Sequence, residues 1–181
     1  MNLPCLEAAL AQAGAVALSG TAYRVVLRAF ANPTDLLSGA GSAKAGGRWN
    51  PPGIRAVYFS EDAALAVREA GYNLSLGGKF SGHPRPPMVV FSVRVDLQRL
   101  VRVDAAFVKT ACLNLAELLR EDFASPLARG VLPASMQVGA AVRAAGFEGL
   151  LAPSARDPRG YNLVIFPDRL LPGSGLGPVL E

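Results

Sequence analysis

Residues 46–69 read GGRWNPPG, then IRAVYFS, then EDAALAVRE: a glycine-rich loop, a short apolar run and an alanine-rich segment. Ile54 to Phe59 predicts a strand, set off by Pro51-Pro52-Gly53 before it. Ser60 follows in the position of a helix cap, and Glu61 and Asp62 suit the positive end of a helix dipole. The helix is expected to stop near Gly71, which places Glu69 close to its end and beside an apolar face of Ala, Leu and Val.

Working outward, Thr21 to Phe30 alternates like a strand, as does Met88 to Val95. Leu150-Leu151 and Leu163 to Phe166 predict two further short strands around the loop from Pro153 to Tyr161. Helices are expected over 2–18, 113–123 and 135–145. Ser38 to Pro52 predicts a long functional or mobile loop, and Gly77 to Pro87 a linker-like loop with the only histidine, His83. Strands outnumber helices without strict alternation, which predicts α+β: a single domain with a mixed or antiparallel sheet core and flanking helices. The expected division is an N-terminal helical extension over 1–20, the domain over 21–170 and a loosely ordered tail over 171–181.

The length suits this reading. A chain of 181 residues buries roughly 70% of its unfolded surface, enough to fold without metal or disulfide. With 51% apolar and 18% charged residues it is neither disordered nor fibrous. No apolar run approaches the roughly 20 residues of a membrane span, and Glu7 interrupts an N-terminus that has no basic lead-in, so no signal peptide and a cytoplasmic protein are expected. Cys5 and Cys112 lack metal-ligand spacing and are expected as thiols. The net charge of +4 is carried mostly by dispersed arginine, which favours phosphorylated small molecules or an acidic partner over direct nucleic-acid binding.

With one histidine, Ser-His-Asp, Cys-His and paired-histidine metal chemistry are excluded. No GxxxxGK[ST] loop occurs, and the glycines at 39–47 do not form GxGxxG ahead of a helix. Any enzymatic chemistry must rest on carboxylate, arginine, tyrosine and hydroxyl groups. Taken singly, Glu69 reads as a solvated helix-end charge, Arg48 as a loop anchor and Trp49 as a core plug; Tyr161 is also read as packing.

The whole string carries more than its parts. Tyr23-Arg24, Ser38-Gly39-Ala40-Gly41, the GGRWNPPG run, Ala56-Val57-Tyr58-Phe59-Ser60, Ala63 to Glu69, Pro153-Ser154-Ala155 and Asn162-Leu163-Val164-Ile165-Phe166-Pro167 together closely resemble the RES domain family over about residues 21–167. The family is named for an Arg, a Glu and a Ser that match Arg48, Glu69 and Ser154. The resemblance implies a fold like that of ADP-ribosyltransferases and the toxin of a bacterial type II toxin–antitoxin pair. It implies NAD as substrate, no metal, and a partner antitoxin of Xre-like helix-turn-helix type that blocks the active site. By the same resemblance Arg24, Arg48, Tyr58 and Asn162 bind NAD, and Glu69, Arg48 and Ser154 are catalytic. Two departures stand out: Val25 follows Arg24 where some relatives carry an aromatic, and Gly71 falls early in the helix.

The implied chemistry suits these residue types. Nicotinamide leaves neutral from a cationic N-glycoside, so no acid or metal is needed, and a carboxylate stabilises the oxocarbenium-like transition state. The acceptor is phosphate, water or a side chain of a protein target. The competing reading is a non-catalytic module that keeps an ADP-ribose pocket and acts through a partner. An RNA-cleaving toxin ranks last, for want of a histidine base or basic cluster.

Overall fold

The computed structural model describes residues 2–76, 87–157 and 159–179. His83 and most of the expected 77–87 loop lie outside them. In chain order the elements are α1 (Leu3–Gln12), β1 (Val16–Leu27), α2 (Pro33–Ser38), α3 (Ala40–Ala45), β2 (Val57–Ser60) and α4 (Ala63–Leu76). There follow β3 (Met88–Arg102), α5 (Ala105–Thr110), α6 (Leu115–Arg120), α7 (Ala124–Ala128), α8 (Ala134–Ala144), β4 (Gly149–Pro153), β5 (Tyr161–Ile165) and β6 (Gly175–Pro178). The fold is the expected α+β arrangement.

The sheet order is β1-β2-β5-β4-β3-β6, and β1 also pairs with β3, so five strands close into a ring with β6 on its rim. All pairings are antiparallel except β3 with β4, which the crossover through α5 to α8 makes parallel. Alternation along the strands gives the ring an inside and an outside. Ala22, Val57, Phe59, Val93, Val95, Leu97, Leu151, Leu163 and Ile165 fill the interior. Val101, Leu150, Ala152 and Val164 point outward, where Leu6 and Ala9 of α1, Phe107 of α5 and Val138 and Val142 of α8 cover them.

A bulge lets β3 serve both layers. Its register slips between Leu97, opposite Leu18, and Leu100, opposite Val16. The N–H groups of Gln98 and Arg99 released there donate to Glu148 Oε2 at 2.7 and 2.6 Å, while Leu171 N–H donates to Oε1 at 3.0 Å. Glu148 is fully buried. Burial pushes its pKa up, but donation from Leu171, Ser174, Arg99 and Gln98 outweighs burial, and the net direction is down.

Several expectations change. β1 begins at Val16, so the N-terminal helix ends at Gln12 and α1 is packed into the core rather than set apart. Within the expected loose tail lies a strand: β6 pairs with β3, Val93 opposite Pro178 through Asp96 opposite Gly175. The expected loop over 38–52 holds α3 and a turn organised by Asn50. That buried amide donates to the carbonyls of Ser42, Pro51 and Ile54 at 2.8–3.3 Å. α4 passes through Gly71 without stopping, since a lone glycine costs a helix only about 1 kcal/mol against alanine. Cys5 and Cys112 are joined in a disulfide, with Cα atoms 5.8 Å apart. Sequence separation hides that pairing; the packing of α1 on α5 creates it.

Candidate active site

Glu69 stands two turns into α4, on a helix that packs across β1, β2 and β3. The cap of this helix is Asp62, whose Oδ1 accepts from Leu65 N–H at 2.7 Å. Ser60, read from sequence as the cap, is released for other work.

Two donors converge on one oxygen of Glu69. Ser154 Oγ donates to Oε1 at 2.6 Å and Asn162 Nδ2 donates to the same atom at 2.7 Å. Ser154 lies just beyond β4 and is buried. Its hydroxyl accepts the N–H groups of Arg156 and Asp157 at 2.9 and 3.2 Å, which leaves its proton for the carboxylate. Asn162 sits on β5 opposite Ser60, and Ser60 Oγ donates to Asn162 Oδ1 at 3.0 Å. The Ser154–Gly160 loop is fastened to α4 by the Arg68–Asp157 ion pair, 3.2 Å. Glu61 Oε1 adds a bond from Tyr161 N–H at 3.0 Å. Glu69 is half-buried, and its Oε2 accepts no hydrogen bond from the described residues. The arrangement is a carboxylate held by one oxygen, with the other uncommitted among the described residues.

Arg24 lies one residue beyond the single pairing of β1 with β2, Tyr23 opposite Ser60, where the two strands part. Alternation puts Tyr23 on the Ser60 face and Arg24 on the Ala22 face. The guanidinium is mostly buried, and burial lowers its pKa to about 10. Its buried Nη1 has no hydrogen-bond partner. An uncompensated buried cation of this kind calls for an anion.

The remaining two expected site residues are placed elsewhere. Arg48 Nη1 donates to the carbonyls of Leu118 and Glu121 at 2.9 and 3.0 Å, and its guanidinium lies 5.3 Å from the Phe123 ring centroid. None of the bonds around Glu69 involves it. Tyr58 is drawn into the loop: its hydroxyl accepts from Trp49 N–H at 3.0 Å and donates to Asn50 Oδ1 at 2.6 Å. Burial pushes the Tyr58 pKa up despite the Trp49 N–H and the Arg48 charge, so the phenol stays protonated. A Cβ on Gly47 would fall 2.5 Å from that hydroxyl, which explains the glycine. Trp49 is a core plug, 3% exposed.

Sequence reasoning missed Ser60 as part of the cluster, because its partner is 102 residues away and met only through strand register. The larger cavity, about 570 Å³, is an open groove along α6 and the start of α8, lined by Asn114, Glu117 and Arg120, and does not include Glu69. A smaller one of about 100 Å³, between Thr21, Ser60, Glu61 and Tyr161, adjoins the cluster. Among the described residues no group of three or more His, Cys, Asp or Glu is placed to hold a metal ion, and no helix is long and apolar enough to cross a membrane.

Comparison with known proteins places this geometry. A chain of the crystal structure of the M.tuberculosis MbcT–MbcA toxin–antitoxin complex superposes with a TM-score of 0.74 at 21% identity, covering 97% of this chain and 90% of that one. The fold is thereby shared. The Prs ADP-ribosylating toxin of Sphingobium sp. (strain YBL2) is 41% identical over 56 residues, 31% of this chain. The matched stretch spans only about a third (35%) of that relative's length. The RES domain model matches residues 21–173, which contain Glu69 and both of its side-chain donors. The chain belongs to the RES domain family.

Proposed function

We propose that this chain is the toxin of a toxin–antitoxin pair that cleaves the nicotinamide–ribose bond of NAD. The observation that carries the reading is the Glu69 carboxylate, pinned through Oε1 by Ser154 and Asn162, with Oε2 accepting no bond from the described residues. Family membership and the name of the ADP-ribosylating relative support the choice of substrate. The donor set suits NAD at both ends: a carboxylate for the ribose, and in Arg24 a mostly buried guanidinium whose Nη1 has no hydrogen-bond partner, for the pyrophosphate.

The C1′–N bond breaks with its electron pair passing to the pyridinium nitrogen, and neutral nicotinamide departs. Positive charge gathers on the ribose, and Glu69 Oε2 opposes it, already oriented before the charge develops. Ser154 and Asn162 keep the carboxylate from rotating. In this reading Ser154 is a holder of Glu69 and not a nucleophile: its hydroxyl donates to the carboxylate that faces the ribose. Phosphate, water or a protein side chain then takes the C1′ position, with a proton released from the acceptor. In this reading Arg48 and Tyr58 build the loop, which their bonds to the Leu118 and Glu121 carbonyls and to Trp49 and Asn50 support.

The same reading takes an Xre-like antitoxin as the neutralising partner; family membership and the toxin–antitoxin origin of the structural neighbour support an antitoxin. Expression of the chain alone should arrest growth of a bacterial host and deplete its NAD, and the purified protein should release nicotinamide. Supplying phosphate or lysate to separate reactions identifies the acceptor by its product. Growth without NAD loss, together with tight binding of ADP-ribose, would replace this reading with the non-catalytic module.

A further inference from the structure

We infer that Ser60 is a positioning residue for Glu69, acting through the Asn162 amide; the inference rests on the NAD-cleaving reading of the site. The two donors to Glu69 Oε1 are each steadied by a second contact. Ser154 is steadied by the backbone N–H groups of Arg156 and Asp157. Asn162 is steadied by Ser60, whose hydroxyl takes the far end of the amide at Oδ1.

An amide with one anchor swings about its terminal torsion, which is broad. Turned over, it would set its carbonyl oxygen against a carboxylate oxygen, two acceptors in contact. With Oδ1 held by a hydroxyl, only Nδ2 faces Glu69. Hydrogen bonding at one end of the amide also polarises the donor at the other.

Backbone demands do not explain the hydroxyl. Ser60 is 4% exposed, its neighbours Val57 and Phe59 are buried apolar residues, and the ladder from Val57–Ile165 to Ser60–Asn162 is made by main-chain groups. A buried polar side chain at this strand end is kept for its partner. Alanine there leaves every ladder bond in place.

The test is steady-state nicotinamide release by wild type, Ser60→Ala, Ser60→Thr, Asn162→Ala and the Ser60→Ala/Asn162→Ala double variant. Loss of one supporting hydrogen bond should lower kcat of Ser60→Ala about three- to tenfold with KM within about twofold. Ser60→Thr should restore most of the rate. In the Asn162→Ala background, Ser60→Ala should cost nothing further, because its route to Glu69 is already gone. An active wild type with unchanged kcat in Ser60→Ala, or losses that multiply in the double variant, would overturn the assignment. Should Asn162→Ala fail to fold, the contrast between Ser60→Ala and Ser60→Thr decides the matter. A folded wild type that releases no nicotinamide overturns the functional reading instead, and this inference with it.

Discussion

Arg48 and Arg24, both read from the motif as NAD-binding cations, stand in different surroundings. Arg48 is spent on two carbonyls and an aromatic face, all of them structural partners. Arg24 is mostly buried with Nη1 unpaired. Binding of NAD by the turnover-deficient Glu69→Gln protein separates the two. Arg24→Lys keeps charge but loses the fork and should weaken affinity at least tenfold, since a charge-assisted hydrogen bond contributes about 1.5–3 kcal/mol. Arg48→Lys should leave affinity within about twofold and instead lower Tm by about 2–8 °C, for a loss of about 1–2 kcal/mol in a chain of this size. Calorimetric titration and thermal melting read the two effects. A tenfold affinity loss in Arg48→Lys with an unmoved melting temperature would return Arg48 to the binding site. Glu69, Ser154 and Asn162 were legible as residues because they stand in a dense motif. Tyr58 and Arg48 belong to the same motif, and Asn50, which takes the Tyr58 hydroxyl, stands in it too; the carbonyls that take Arg48, of Leu118 and Glu121, are 70 and 73 residues away, where spacing cannot weigh them.

At the scale of elements, two fastenings hold segments that sequence patterning sets aside. Glu148 ties the β3 bulge to the segment leading into β6. Its folded-state pKa lies below its ordinary value of 4.5, so the unfolded chain binds the extra proton and stability rises with pH. Its contribution is complete well above pH 4.5 and is lost as pH falls through the depressed value. Glu148→Gln should cost about 1–3 kcal/mol at pH 7 and flatten the acid limb of the stability profile between about pH 5 and pH 3. Equilibrium denaturation across that range checks it; a variant as stable as wild type at pH 7 would refute the role. The second fastening is Cys5–Cys112, which closes a separation of 107 residues and clips α1 to the α5 end. Reduction should lower stability by about 2–4 kcal/mol. Melting with and without a thiol reductant, beside a Cys5→Ser/Cys112→Ser control insensitive to it, measures this. Equal melting temperatures with the disulfide verified intact at the start would contradict it. Both fastenings are long-range, and the low polarity of the flanking residues gives no local sign of either.

Over the whole molecule, a ring of five strands is filled on its inside and covered outside by helices on one side and α4 on another. The α+β class, five of the six described strands and half of the eight described α-helices follow from alternation and turn residues. Ring closure does not, because it depends on β1 pairing with both β2 and β3, and no local pattern records a strand's second neighbour. Closure is what brings the site together: β2 and β5 set Ser60 beside Asn162, β4 ends at Ser154, and α4 lays Glu69 across them. β1 leaves β2 at Tyr23, and Arg24 stands where the strands part. The site is therefore a property of the topology as much as of its residues.

Nicotinamide release from NAD by purified wild type and Glu69→Gln, followed in parallel with thermal melting of both, tests the central claim most directly. Gln keeps the volume and one oxygen for Ser154 and Asn162 but removes the charge proposed to face the ribose. The account predicts nicotinamide release by the wild type and a rate lower by about 10²–10³ in a Glu69→Gln protein that melts normally. A normally folded Glu69→Gln protein that releases nicotinamide at the wild-type rate would contradict it.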